Sequence, residues 1–193
     1  METPWSTTQI DPSLRVTEVL AYEPCILFSS KEEVVSRSIV DLETFRNHHW
    51  VVVGGGAGTD ALETICNRIG NFTPRVRYEV EDFHRSNVLV SEQLGVTMAD
   101  PSRGSMTGVE VRPFFRAPRF RIMCAVSSTA APSIEQHAIL AQRLLFRQSV
   151  QHRSPYYWQY MIKHSDHFAQ VLDAPQDHHL LHADRDPGLP KAS

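Results

Sequence analysis

Three valines that run into four glycines, within WVVVGGGAGTDALETICNRIG at residues 50–70, admit few backbones. Val51, Val52 and Val53 are β-branched and continuously apolar, which suits a short strand buried on both faces. Gly54, Gly55, Gly56 and Gly58 then break the strand, and Ala61, Leu62, Ile65, Cys66 and Ile69 recur at helical spacing along one face. Asp60 followed by Glu63 reads as a capping box, so the helix is expected to start at Asp60 and to stop at Gly70. A strand, tight loop and helix in this order turn unpaired N–H groups and the positive end of a helix dipole toward the loop, which can then hold a carboxylate or phosphate.

The 193-residue chain is 41% hydrophobic and 21% charged, sufficient for a buried core. A net charge of −3 and a pI near 6.3 exclude the strong positive field of a self-sufficient nucleic-acid binder, so no direct DNA binding is expected. No apolar run reaches bilayer-spanning length, and METPWSTTQIDPSLR lacks both a basic start and an apolar signal core. The expectation is a cytoplasmic protein with no membrane partner. Cys25, Cys66 and Cys124 form no CxxC pair and read as reduced core residues.

Residues 1–22 read as a lead-in with Pro4 and Pro12, although Leu14 to Leu20 suits a strand or a short helix. CILFS is a strand-length apolar run, and Ser38 with Asp41 opens a short helix toward Phe45. Arg75 to Val80 alternates, with Val76, Tyr78 and Val80 on one side. Asp82 is the expected N-cap of a helix carrying Phe83, Asn87, Val90 and Leu94, followed by a strand from Val96 to Ala99. Val109 and Val111 form another strand, and Phe120, Ile122, Cys124 and Val126 share one side of the next. Ser133 and Gln136 are expected to cap a last helix whose inner face uses Ile134, Ala138, Ala141 and Leu145. From Arg147 onward, six histidines and a polar ending read as a tail, with Tyr156 to Ala169 suited to a short amphipathic helix. Strands separated by helices point to an α/β domain with a largely parallel sheet.

Five segments between Glu23 and Leu145, in order, resemble the effector-binding domain of LysR-type transcriptional regulators. They are EPCILFS, IVDLETFRNHHWVVV, GGGAGTDALETICNRIG, FTPRVRYEVEDFHRSNVLVSEQLGVTMADP, and GVEVRPF followed by FRIMCAV and the helix from Ser133. The resemblance implies a periplasmic-binding-protein-like (type 2) α/β fold over residues 23–146, with a mixed, mostly parallel sheet flanked by helices. Its second lobe would be complete over about 24–115, with a return strand and last helix over 120–146 and a flexible C-terminal tail over 147–193. The family's winged helix-turn-helix, linker helix and first βα units have no counterpart in the sequence. Ser91-Glu92-Gln93 replaces the small residues usual in the family before Leu-Gly, and Thr97 to Asp100 replaces an aliphatic run. The implied function is that of a small-molecule effector-binding regulatory domain of a LysR-type transcriptional regulator, whose change in lobe geometry a DNA-binding partner reads. Gly55, Gly56, Ala57, Gly58 and Thr59 would bind the effector, an organic acid by this resemblance. The protein partner would be a second copy, as a homo-oligomer, or a LysR-type chain.

Without the resemblance, VVVGGGAGTDA comes close to a dinucleotide fingerprint, with Gly54 and Gly56 after an apolar strand and Glu79 or Glu81 to meet a ribose. This alternative, a Rossmann-type FAD or NAD enzyme fragment, lacks the third glycine, because Thr59 stands where helix and strand must pack closely. Ser86 and His84 lie near each other with no nucleophile elbow around them, so no enzyme, cofactor or resident metal is expected. His164, Asp166 and His167 have helical ligand spacing but lack a third ligand of the usual kind. His48 and His49 read as surface residues at a helix end. Arg103, Arg112, Arg116, Arg119 and Arg121, interleaved with aromatic residues, read as a solvated sheet edge or as a contact for an acidic partner.

Overall fold

The computed structural model describes residues 11–103 and 106–172. Strand β1 (Leu14–Tyr22) and strand β2 (Cys25–Ser29) are separated only by Glu23-Pro24. Strand β3 (His49–Val53) leads through the glycines into helix α1 (Gly56–Ile65), which widens into a π turn over Cys66–Gly70. Strand β4 (Arg75–Val80), helix α2 (Phe83–Ser91), and strands β5 (Thr97–Ala99), β6 (Val109–Pro113) and β7 (Phe120–Ser127) follow. Helices α3 (Pro132–Arg153), α4 (Pro155–Lys163) and α5 (Ser165–Leu172) close the described chain.

The result is a mixed α/β structure in which β2 is the organising wall. It pairs antiparallel with β5 on one side and with β6 on the other, and all five of its residues are buried. Because side chains alternate along a strand, Ile26 and Phe28 enter one core with Leu42, Phe45, Trp50, Leu62 and Ile65. Cys25 and Leu27 enter a second core with Val19, Leu20, Phe146, Val150, Tyr157 and Met161. A mostly parallel sheet was expected, but β3 with β4 is the parallel ladder; β1 with β7, and β2 with both its neighbours, are antiparallel. Parallel neighbours in sequence need a crossover of helix length, and α1 supplies one between β3 and β4. The strand after α2 reaches β3 only through a bridge between Trp50 and Val96, and β5 takes its ladder from β2 instead.

At both ends of the described chain, the strand suited to Leu14–Leu20 and the helix suited to Tyr156–Ala169 form part of the core rather than of a loose lead-in and tail. The lead-in to position 22 contains β1, whose Val19 and Leu20 are fully buried against the second core. The flexible tail expected from 147 is helical through Leu172, and Val150, Tyr157, Met161, Phe168 and Val171 are core residues. Residues 173–193 lie outside the described residues. These helices hold because they bury apolar area and satisfy polar groups together. The Tyr157 hydroxyl donates to the Glu23 carbonyl and accepts from the Glu23 N–H at 3.0 Å. The Tyr160 hydroxyl donates to Glu23 Oε2 at 2.8 Å, and Ser154 Oγ donates to the Pro101 carbonyl at 2.6 Å. The crossover between β1 and β2 is thereby fastened by α4.

Of the expected α3 face, Ala138 packs on the second core, but the two large residues do not. Ile134 is 57% exposed and Leu145 63%, whereas Ile139, Phe146 and Val150 pack inward. Pro132 at the first turn and Ala131 as N-cap start this helix, without the expected side-chain cap.

The buried thiols and phenols give the fold a defined alkaline limit. Burial holds the Cys25 thiol and the Tyr157 hydroxyl well above their ordinary values of 9.0 and 10.0, and pushes the Cys66 thiol up to about 12. Burial first, then the Glu23 carboxylate it bonds, raises Tyr160 in the same direction. Groups with raised folded values stabilise the fold fully below their unfolded values, and that contribution is lost as pH rises because the unfolded chain ionises first. The urea midpoint is therefore expected to stay level from about pH 7 to about pH 8.5 and to fall between about pH 9 and pH 11. A midpoint that stays level throughout would contradict this burial.

Candidate functional site

The glycine loop is tighter than the sequence suggests. Helix α1 begins at Gly56, so Asp60 lies inside it and does not cap it; the N-cap is Gly55, at φ 65 and ψ −147. Gly54 and Gly55 both take positive φ, and the Gly55 conformation belongs to a region that is essentially glycine's alone. The Thr59 N–H donates to the Gly55 carbonyl at 3.1 Å, while the N–H groups of Gly56, Ala57 and Gly58 precede that bond at the positive end of the helix. Gly58 has a different task. A Cβ there would sit 2.4 Å from the Val53 carbonyl oxygen and 2.9 Å from Val52 Cγ1, so Gly58 is where helix and strand meet. The Thr59 hydroxyl lies 3.3 Å from Glu79 Oε1, which brings a carboxylate to the helix start.

Behind this loop is a cavity of about 300 Å³. Val51, Val52 and Val53 from β3, and Gly58, Ala61, Leu62 and Ile65 from α1, form one side. Tyr22 and Pro24 from the first crossover and Phe120 at the start of β7 form another, with Phe83, Met98, Ala99 and Asp100 completing the lining. Tyr22 and Phe120 stack with ring centroids 5.8 Å apart. Asp100 accepts from the Ser102 N–H at 3.0 Å and from the Ser102 hydroxyl, and it pairs with Arg103 Nε at 3.1 Å. Burial, then the Asp100 charge, holds the Tyr22 hydroxyl above its ordinary value, so it stays a neutral hydrogen-bonding group.

Of the five residues assigned to effector binding from the sequence, Gly58 borders the cavity, Gly55 caps α1, and Gly56, Ala57 and Thr59 lie in its first turn. Tyr22, Pro24, Met98, Asp100 and Phe120 were not singled out. Their shared signal is position at the two crossovers and at the end of β5, which only pairing of β1 with β7 makes visible.

The arginine-rich segment does not form one surface. Arg112 is 1% exposed, donating from Nε to the Arg37 carbonyl at 2.9 Å, from Nη2 to Val35 at 2.9 Å, and from Nη1 to Glu110 at 2.6 Å. Arg119 donates to the His167 carbonyl at 2.9 Å, and Arg121 pairs with Glu18 at 3.3 Å. His164 Nδ1 lies 2.9 Å from the Tyr160 carbonyl, and its ring packs on Tyr160 rather than facing a shared ligand with His167. Among the described residues, no group of three His, Cys, Asp or Glu side chains is gathered to hold a metal ion, and no helix is long and apolar enough to cross a membrane.

No protein-family model and no curated protein sequence matches the chain. Solved structures do. The C-terminal domain of a probable LysR family transcriptional regulator from Rhodococcus sp. RHA1 is 20% identical, with a TM-score of 0.54 over 69% of this chain and 68% of that one. The effector-binding domain of QuiR, in complex with shikimate, is 15% identical, with a TM-score of 0.51 over 75% of this chain and 69% of that one. A Corynebacterium glutamicum OxyR mutant is 20% identical, with a TM-score of 0.59 over 74% of this chain. The chain spans 46% of that OxyR structure, about half its length. The mixed α/β fold is thus similar to that of LysR effector-binding domains.

Proposed function

We propose that the chain is a small-molecule effector-binding module of a LysR-type regulator, with the cavity behind the glycine loop as its site. The observation that carries this reading is the cavity's placement. It touches α1 and β3 on one side and both crossovers, Tyr22-Pro24 and Phe120, on the other. A ligand in contact with all of these would fix the position of α1 relative to the β1–β7 pair, a change that a partner chain can read. On this reading residues 24–115 correspond to the second lobe of a periplasmic-binding-protein-like fold, with β7 and α3 belonging to the other. The rim residues Gly55, Gly56, Ala57 and Gly58 would supply backbone N–H donors, and Thr59 its hydroxyl, to a polar group on the effector. Its readout would pass to a second copy or to a DNA-binding LysR-type chain in the cytoplasm. The dinucleotide reading has less support, because the matched folds are regulatory and no Glu from β4 lines the cavity.

A small-fragment screen by NMR tests this. Fragments that bind should perturb Leu62, Ile65 and Met98 together, and a fragment at about 100 times its Kd should add roughly 2.7 kcal/mol to stability. Hits confined to other surfaces would overturn the assignment.

A further inference from the structure

The cavity's chemistry narrows its ligand. We propose that it takes a flat, uncharged ring system of roughly two fused rings and discriminates against carboxylates; this rests on the effector-binding reading above. An apolar cavity of about 150 Å³ is known to hold benzene, and this one has about 300 Å³. Tyr22 and Phe120 present an aromatic wall, and Val52, Leu62, Ile65 and Met98 provide aliphatic surface. Among the described residues, no Lys, Arg or His lines the cavity, and the carboxylic acid in its lining is Asp100. The adjacent cation, Arg103, is committed to Asp100 Oδ2 and lies over the Phe83 ring with its guanidinium carbon 5.4 Å from the centroid.

At the rim the same sign recurs. Glu79 stands within 3.3 Å of the Thr59 hydroxyl, close to the N–H groups that would otherwise favour an anion. A carboxylate entering here would lose hydration without meeting a cation among the described lining residues and would approach two like charges. A neutral carbonyl or hydroxyl avoids both costs. It can accept from a backbone N–H at the rim or bond the Tyr22 hydroxyl, and an N–H on the ligand can donate to Asp100. The shikimate held by the QuiR domain is therefore a poor guide to the ligand of this chain.

The test uses 2-naphthamide and 2-naphthoate at neutral pH, which match in shape and differ by one charge. Calorimetry should show the amide binding at least about ten-fold tighter, with methyl NMR shifts at Leu62, Ile65 and Met98. Asp100→Asn should shrink that ratio by at least about three-fold, since the repulsion comes from its charge. Ala61→Leu, which fills the cavity, should weaken the amide without changing the rest of the spectrum. A carboxylate that binds the cavity as tightly as the amide, or a ratio unmoved by Asp100→Asn, overturns the ligand class and leaves the effector reading standing. If neither compound shifts the cavity methyls, or if Ala61→Leu binds like the parent, both fall.

Discussion

Gly58→Ala lowers the unfolding free energy by about 2–4 kcal/mol, and Gly58→Val by more. The cause is local. The added Cβ would meet the Val53 carbonyl oxygen at 2.4 Å and Val52 Cγ1 at 2.9 Å, and the first of these is backbone in a strand held by its ladder with β4. Relief requires α1 to lift from β3, which opens the contact of Leu62 and Ile65 with Trp50 and Val52 in the core. Gly56→Ala is the control. No atom lies within 4 Å of its Cβ position, so the change stays within about 0.5 kcal/mol. Urea unfolding of the two variants beside the parent measures both. Equal midpoints for Gly58→Ala and Gly56→Ala would refute the close packing of α1 on β3. The result also means that a Gly58 variant cannot serve as a clean probe of ligand binding.

Arg112→Met costs about 3–5 kcal/mol. The guanidinium is buried, bonds the Val35 and Arg37 carbonyls, pairs with Glu110, and has the Tyr156 ring 3.6 Å from its central carbon. Methionine fills much of the volume but leaves the Val35, Arg37 and Val111 carbonyls and a half-buried carboxylate without this donor, and an unsatisfied buried acceptor costs more than the bond itself contributes. Arg112→Lys should recover little, because one ammonium cannot reproduce a planar fork that serves four acceptors and stacks on an aromatic face. Chemical denaturation of the pair decides it; lysine restoring parental stability would show that charge alone matters at this position.

Much of the fold was legible where periodicity was clean. The alternation of Arg75 to Val80 and of Phe120 to Val126 matches their burial, and Asp82 caps α2 by accepting from the Arg85 N–H. The failures have physical causes. Asp60 and Glu63 imitate a capping box, yet Gly56 to Thr59 are already helical because α1 must approach β3 at Gly58, a contact that no local signal announces. On α3, the stripe of Ile139, Phe146 and Val150 is interrupted by Arg143, whose Nε donates to the Val19 carbonyl at 2.5 Å. That arginine disguised the inner face, and the outer stripe of Ile134 and Leu145 looked more regular. The helix suited to Tyr156–Ala169 is present as α4 and α5, but its place in the core was not legible, because Tyr157, Met161 and Phe168 bury their area only on meeting strands distant in sequence. The cavity depends on residues from both crossovers, and proximity across a hundred residues is invisible to spacing.

That separation also sets a timetable for synthesis. Leu14 pairs with Ser127 and Tyr22 with Phe120, so β1 has no strand partner until about a hundred further residues have been made. At translation rates of roughly 5–20 residues per second, Val19 and Leu20 wait on the order of 5–20 s as an unpaired apolar edge on the nascent chain. During this interval the elements from β2 to β6 can complete their own core, because β2 finds both β5 and β6 before β7 emerges. Strand β1 is therefore placed after strands made later than it, and until β7 emerges its apolar residues lack the strand that covers them.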